Sequence, residues 1–254
     1  MQLNFNNLNQ IWSYVLTETL KRLGLECAVI CPGSRYTPLT VAFAQQIPHI
    51  EAIPILDERS AAFFALGRAK ATGKPVVLVC TSGTAGANFY PAVIEAKESR
   101  VPLLILTTDR PAELRNCHSG QTIDQVKLYG NYPNWQGELA TPSANLEMLA
   151  YLRQTVIYAW ERCQFPNFGP VHINIPFRDP LAPIPDGTNF NLDVSDFFSA
   201  VASSPVAITN YQLPVINCQK GIIIAGVDKT QVSEQYCRAI ARLSQSLQWP
   251  VLAE

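Results

Sequence analysis

The sequence predicts an α/β protein whose parallel sheet is covered by helices on both faces. Short apolar runs alternate with helical patterns between residues 27 and 109, and the runs lack the regular polar alternation of a strand that faces water. Strands that are apolar throughout are typical of parallel sheets, because the crossover helices bury both faces. A chain of 254 residues with 48% apolar residues is also long enough to bury a sizeable core.

The predicted elements follow one another as a βαβ series. A first helix is expected from about residue 9 to residue 23, because apolar residues recur on one face and Gly24 ends it. The next strands are predicted at 27–33, 51–56, 75–83 and 101–109, and the helices between them at 38–47, 59–73 and 84–100. Further elements are predicted as helices at 119–131 and 145–163 and as a strand at 169–177.

The order of elements predicts three segments. The first α/β domain is expected to occupy residues 1–178, and frequent Pro, Ser, Asn and Asp indicate a linker over 179–216. Residues 217–254 contain the pattern of one strand, one helix and the beginning of another strand. Because so few elements cannot bury a core, we expect this segment to be the truncated start of a second α/β domain.

Composition and charge exclude several classes of function. The formal net charge is −1 without long runs of one sign, so a nucleic-acid partner is not expected. The N-terminal segment lacks the pattern of a signal peptide and no stretch is long enough to span a membrane, which predicts a cytoplasmic protein. Seven scattered cysteines without a CxxC pair predict reduced thiols, and no residue is predicted to bind a metal.

Polar residues follow the predicted strands where each strand ends. Ligands of parallel α/β sheets bind outside these C-terminal ends. The four exits read CPGSRYTP, LDERS, CTSGTAG and TTDRPAELRNCHSGQ. Glu58 lies in the second exit, where its charge has either a chemical role or, together with Asp57, a capping role at the start of a helix.

The other exits suggest a site for an acidic ligand. The small residues of TSGTAGAN, at 81–88, allow backbone amides to approach a ligand, although they also allow a helix to pack tightly on the sheet. Arg35 and Arg110 suit the recognition of carboxylates. Alternatively, both arginines form structural ion pairs with Glu58, Asp57 or Asp109. The three histidines of the chain are assigned no catalytic role.

Together these segments resemble the N-terminal pyrimidine-binding domain of the thiamine-diphosphate enzymes. The matching segments, in order within residues 8–178, are CPGSRYTPLT, LDERSAAFFALGRAK, VCTSGTAGANFYPAVIEA, LTTDRPAEL and GQTIDQ. The resemblance implies that Glu58 is the catalytic glutamate, which hydrogen-bonds the N1′ nitrogen of the cofactor's aminopyrimidine. It also implies that Thr81, Ser82 and Gly83 line the pocket for that ring.

The resemblance further implies a substrate class. By this match Ser34, Arg35, Arg110 and Gln121 line the substrate site. The most similar branch of the family is a transferase that decarboxylates 2-oxoglutarate and adds the resulting succinyl unit to isochorismate, on the route to menaquinone or phylloquinone. Two other interpretations stay open: an acetolactate-synthase-like enzyme or 2-oxoacid decarboxylase, in which an apolar pocket would replace the arginines, and a non-catalytic α/β binding or assembly module.

The same resemblance implies partners and a further domain. In this family a C-terminal domain with a GDG motif holds the diphosphate and its Mg²⁺ or Mn²⁺, and the sequence contains no such motif. We therefore expect a homodimer or homotetramer whose site lies between subunits. We also expect this chain to be inactive alone.

Overall fold

A computed structural model describes residues 2–201, 218, 220–226 and 234–253. The contacts within the chain divide it into two compact units, Met1–Ser203 and Ser204–Glu254. The first unit contains the elements β1 (Gln2–Phe5), α1 (Leu8–Arg22), β2 (Cys27–Ile30), α2 (Thr37–Gln45), β3 (Glu51–Pro54), α3 (Glu58–Thr72), β4 (Val76–Cys80), α4 (Ala85–Asn88), α5 (Tyr90–Glu98), β5 (Leu103–Asp109), β6 (Trp135–Glu138), α6 (Leu146–Gln164), β7 (Pro170–Pro176), β8 (Phe190–Asp193) and α7 (Val194–Phe197).

The sheet of the first unit has six strands in the order β3-β2-β4-β5-β7-β6. All neighbouring strands are parallel. Strands β2, β4, β5 and β7 are buried along their whole length, because helices cover both faces. The α/β fold predicted from the continuous apolar runs is thereby confirmed.

Two apolar cores lie on opposite faces of this sheet. Helices α1, α2 and α6 pack on one face, with Trp12 and Phe43 fully buried between them and the strands. Helices α3 and α5 pack on the other face. Helix α3 presents a stripe of alanines to the sheet, which lets its backbone approach closely.

The strand order creates a crevice between β2 and β4. The chain continues from β2 to β3 on one side and later returns to β4 on the other side, so the connections diverge at this point. Such a switch point is the usual place for a ligand in an open α/β sheet. The two strand exits come very close together here, since a Cβ added to Gly33 would lie 2.4 Å from Cβ of Thr81.

The helix predicted at 119–131 is wrong, because these residues form turns. Gln121 and Lys127 have left-handed backbone angles, with φ of 56° and 59°, which an α-helix does not accommodate. The side chain of Gln125 is buried against the strand exits instead of following a helical face. A short strand that the sequence did not predict, β6, follows this segment and pairs with β7.

Residues 179–201, the first part of the predicted linker, belong to the first unit and bond to its N-terminal residues. Strand β8 forms an antiparallel ladder with β1, in which Gln2 is opposite Asp193. Asn7 Nδ2 donates to the carbonyl of Ile184 at 2.8 Å, and Asn9 Nδ2 donates to the carbonyl of Pro180 at 2.9 Å. The rest of the predicted linker lies mostly outside the described residues. The domain limits 1–178, 179–216 and 217–254 remain a prediction.

The second unit contains β9 (Ile223–Ala225), α8 (Glu234–Leu247) and β10 (Val251–Ala253). Strands β9 and β10 are parallel, and this order of strand, helix and strand agrees with the sequence pattern. None of the described residues of α8 is buried. Throughout the described part of the chain, no helix combines the length and apolar character needed to cross a membrane.

Candidate active site

Glu58 is the first residue of α3, at the exit of β3. The helix is capped by its neighbour, since Asp57 Oδ1 accepts a hydrogen bond from the backbone N–H of Ser60 at 2.7 Å. The capping role considered for the two acids therefore belongs to Asp57. Glu58 is half-buried, and its Oε2 accepts a long hydrogen bond of 3.5 Å from Asn88 Nδ2.

The charge of Glu58 acts on two buried thiols, Cys31 after β2 and Cys80 at the end of β4. Burial raises the pKa of the Cys31 thiol to about 12, with smaller contributions from the negative charges of Glu58 and Asp57. Burial also raises the pKa of Cys80, with further contributions from Cys31 and Glu58. Both thiols are therefore protonated at neutral pH and unsuited to act as nucleophiles or metal ligands.

The segment Thr81–Gly83 forms the exit of β4. Thr81 and Ser82 are buried, and Gly83 has a left-handed φ of 82°. A Cβ on Gly83 would also lie 2.9 Å from Cγ of Gln121, so glycine satisfies both the backbone angle and the close approach. The small residues of this exit thus serve the contact between two loops.

Arg110 and Gln121 meet this segment from the exit of β5. Arg110 Nη1 donates to the hydroxyl of Ser82 and, at 2.8 Å, to the backbone carbonyl of Gln121. Gln121 Nε2 donates to the backbone carbonyl of Ser82 at 3.0 Å. Burial lowers the pKa of Arg110, and the positive charge of Arg35 lowers it further. Arg35 and Arg110 therefore lie close enough for their charges to interact.

Arg35 is only 9% exposed, and part of its hydrogen-bonding capacity is unused. Its Nη1 donates to the backbone carbonyl of Phe177 at 3.0 Å and lies 3.6 Å from an oxygen of the exposed Asp179. Its Nε is buried, and among the described residues it has no hydrogen-bond partner. A buried donor of this kind is costly unless a ligand satisfies it.

The structural ion pairs considered for the arginines involve other residues. Asp109 pairs with Arg115 at 2.9 Å. The acidic neighbour of Arg35 is Asp179, a residue that the sequence did not single out. Ser34 lies in the exposed exit of β2, where its carbonyl accepts hydrogen bonds from the backbone and hydroxyl of Thr37 at 3.1 and 2.7 Å.

A buried polar network under the site was missed by sequence reasoning. Asn174 Nδ2 donates to Asp109 Oδ2 at 2.9 Å and to Glu138 Oε2 at 2.8 Å. Its Oδ1 accepts from the hydroxyl of Thr107 at 2.9 Å and from Gln125 Nε2, also at 2.9 Å. The signal in the sequence was the pair of polar residues at 172 and 174, two apart in an otherwise apolar strand.

The direction of these bonds fixes the tautomer of His172. The single hydroxyl proton of Thr107 is donated to Asn174, so Nε2 of His172 must donate to that hydroxyl, at 2.7 Å. Burial lowers the pKa of His172 to about 3, which keeps the ring neutral. Because the ring is buried and neutral, His172 is a structural residue of the network.

Comparison with known proteins agrees with this geometry. Residues 12–128 match the family described as "Thiamine pyrophosphate enzyme, N-terminal TPP binding domain". The matched residues thus resemble the N-terminal domain of thiamine pyrophosphate enzymes, and the strand exits described above lie within the matched region.

Individual relatives of high sequence identity share one name. Over its whole length the chain is 65% identical to the 2-succinyl-5-enolpyruvyl-6-hydroxy-3-cyclohexene-1-carboxylate synthase of Nostoc sp. (strain PCC 7120 / SAG 25.82 / UTEX 2576). Synthases of the same name from Trichormus variabilis and Gloeothece citriformis are 66% and 64% identical. The chain spans 45% of the length of each of these relatives. The family resemblance seen in the strand-exit motifs is confirmed.

Proposed function

We propose that this chain is the N-terminal part of a transferase that decarboxylates 2-oxoglutarate and adds the succinyl unit to isochorismate. The product would be 2-succinyl-5-enolpyruvyl-6-hydroxy-3-cyclohexene-1-carboxylate, which the names of the relatives contain. The observation that carries the proposal is the placement of Arg35, Arg110 and Glu58 after three strands of one parallel sheet, at the edge where those strands end. Both proposed substrates are carboxylates, which these arginines suit.

The residues at the crevice fit thiamine diphosphate. Glu58 would share a hydrogen bond, and its proton, with the N1′ nitrogen of the aminopyrimidine, while Thr81, Ser82 and Gly83 would line one wall of its pocket. The close approach of Gly33 to Thr81 fixes the position of this wall relative to the exit of β2. When bound, the cofactor supplies the electron sink that decarboxylation of a 2-oxoacid requires.

The remaining residues would bind and orient the substrates. Arg35 would use its buried Nε–H, and Arg110 would use the N–H groups that Ser82 and Gln121 leave free. Ser34 and Gln121 would add neutral hydrogen bonds around the same carboxylates or hydroxyl groups. Holding the two substrate anions side by side would lower the activation barrier through proximity, an effect that can reach several kcal/mol.

The proposal extends to parts of the enzyme beyond the described residues. A further domain would hold the diphosphate with Mg²⁺ or Mn²⁺, and the site would be completed between subunits of a homodimer or homotetramer. The reaction belongs to the route to menaquinone or phylloquinone, and we place the enzyme in the cytoplasm. This chain alone would then be inactive.

A chimera tests the proposal. In it, this chain replaces the matching 45% of the Nostoc synthase, and release of carbon dioxide and formation of the cyclohexene product are measured with both substrates. We expect turnover only when 2-oxoglutarate and isochorismate are present together. Turnover with pyruvate alone would instead indicate an acetolactate-synthase-like enzyme or a decarboxylase.

Calorimetry distinguishes the proposed enzyme from the alternative, a non-catalytic binding module. Thiamine diphosphate and Mg²⁺ are titrated into the 254-residue chain and, in parallel, into the chimera. We expect tight binding by the chimera alone, because the diphosphate contacts are proposed to lie in the other domain. Tight, metal-dependent binding by the short chain would contradict that placement, and binding by neither would favour a non-catalytic module.

A further inference from the structure

The peptide group between Ser82 and Gly83 is held at both of its polar atoms. Gln121 Nε2 donates to the Ser82 carbonyl at 3.0 Å, and Gln125 Oε1 accepts from the Gly83 N–H at 2.8 Å. Because the carbonyl and the N–H belong to one rigid plane, the plane cannot rotate without breaking both bonds. Two glutamines from one loop, Gln121 and Gln125, therefore fix the orientation of the β4 exit.

The side chain of Gln125 has only one satisfactory orientation. It is 1% exposed, and its Nε2 donates to the backbone carbonyl of Thr108 at 3.1 Å and to Asn174 Oδ1 at 2.9 Å. Exchanging the amide oxygen and nitrogen would place the NH₂ group against the Gly83 N–H and the oxygen against two acceptors. The surroundings thus determine which end of the amide faces Gly83.

Asn174 is itself fixed by the network beneath the site. Its two N–H groups donate to the fully buried carboxylate of Asp109 and to the carboxylate of Glu138, whose side chain is 30% exposed. Arg115 joins the same two carboxylates, at 2.9 and 2.6 Å. Gln125 is therefore bonded directly to β5 and β7, and through Asn174 indirectly to Glu138 of β6, while its Oε1 holds the loop after β4.

The clamped peptide is linked to Arg110 through the side chain of Ser82. Arg110 Nη1 donates to the Ser82 hydroxyl, which belongs to the residue whose carbonyl is one half of the clamped peptide. We propose that Gln125 is a positioning residue that acts through the Ser82–Gly83 peptide to orient the guanidinium of Arg110. The functional meaning of this orientation rests on the proposed function, in which Arg110 binds a substrate carboxylate.

The first test uses NMR of the ¹⁵N-labelled 254-residue chain without any ligand. In Gln125→Ala we expect hydrogen exchange of the Gly83 amide to become roughly tenfold faster, as for the loss of one buried hydrogen bond. We also expect the Arg110 guanidinium resonances to shift and its side-chain N–H groups to exchange faster. The matched control is Gln46→Ala, which removes another buried glutamine in a different part of the unit, beside Glu18.

Gln125→Glu provides a second variant if the alanine variant does not fold. The carboxylate still accepts from Gly83 but cannot donate to Thr108 and Asn174, so the Arg110 resonances should again move. Unchanged Arg110 resonances in a variant whose Gly83 amide has lost protection would overturn the proposal, because Gln125 would then support the loop alone. The proposal would also be overturned if Gln46→Ala shifted the Arg110 resonances as much as Gln125→Ala does.

Kinetics of the chimera give a readout that separates positioning from general stability. Gln125→Ala should raise KM for an acidic substrate several-fold in the wild-type background and have no further effect in an Arg110→Ala background. Fully additive effects would contradict the coupling. Failure of the proposed function would appear as an inactive unsubstituted chimera, whereas the NMR result on Arg110 decides the positioning role independently.

Discussion

At the scale of single residues, the structure separates the two adjacent acids at the start of α3. Asp57 caps the helix, and this role explains its charge without reference to any ligand. Within the described residues, Glu58 accepts one long hydrogen bond, from Asn88, and its charge acts on Cys31 at the end of β2. Neighbouring residues with the same charge therefore have different roles, and substitution can distinguish them.

Glu58→Gln should lower the turnover of the chimera by at least about 100-fold, because a positioned acid-base group commonly contributes that much. The matched control is Asp57→Asn, which removes the neighbouring charge but keeps an equally good cap. Steady-state turnover of both variants at saturating substrate checks the prediction. Equal losses in the two variants would show that only the charge at the helix start matters.

Arg35→Ala and Arg110→Ala should each raise KM for an acidic substrate by about tenfold or more, since each removes a charge-assisted hydrogen bond. Arg68→Ala is the control, because Arg68 is an exposed arginine that pairs with Glu51. KM is measured for 2-oxoglutarate and isochorismate separately. If neither constant changes, the arginines serve the structure rather than the substrates.

At the scale of elements, the parallel strands were predictable because burial on both faces leaves continuous apolar runs. The turns at 119–131 were not, since their conformation depends on partners that are distant in sequence: Gln121 and Gln125 bond to the exit of β4. The roles of Asn174 and Arg115 could not be predicted either, because their partners are also distant in sequence. The strand-exit residues were predictable as a group, whereas their mutual contacts required the structure.

Gly33→Ala should destabilise the first unit by about 1–3 kcal/mol, the usual cost of forcing a group into a filled space. The new Cβ would lie 2.4 Å from Cβ of Thr81, which cannot move without shifting the β4 exit. Gly67→Ala is the matched control, because Gly67 lies in α3 with open space around it. There, alanine should stabilise the helix by up to about 1 kcal/mol.

Chemical denaturation of both glycine variants checks this pair of predictions. The midpoints should move in opposite directions relative to the unsubstituted chain. A Gly33→Ala variant with unchanged stability would mean that the exits of β2 and β4 separate easily, and the crevice would then be less rigid than the contact between Gly33 and Thr81 indicates.

At the scale of the whole molecule, the buried His172 makes the free energy of unfolding depend on pH. The folded pKa of His172 is lowered to about 3 from 6.5, so the unfolded chain binds more protons between these values. Stability should therefore be fully present above pH 6.5 and fall as the pH decreases, by up to about 1.4 kcal/mol per pH unit. Protonation of carboxylates also changes the stability at lower pH. The contribution of His172 is therefore best measured between pH 5 and 6.5.

Denaturant unfolding at several pH values between 5 and 7.5 measures this dependence. His172→Gln is the comparison, because its amide can still donate to Thr107 but does not titrate. The difference in unfolding free energy between the two proteins should change with the slope given above. Parallel curves would show that His172 does not control the acid sensitivity.

The β1–β8 ladder has a mechanical consequence for the first unit. A pull on the chain beyond residue 201 is transmitted first to Val201 and Phe198, which are buried in the core, and then to α7 and β8. The force enters β8 at Asp193, whereas β1 joins α1 after Phe5, at the opposite end of the ladder, so the four residue pairs are loaded in shear and share the force. Tension in the following segment therefore loads these buried side chains and the ladder before it reaches β7 and the six-stranded sheet.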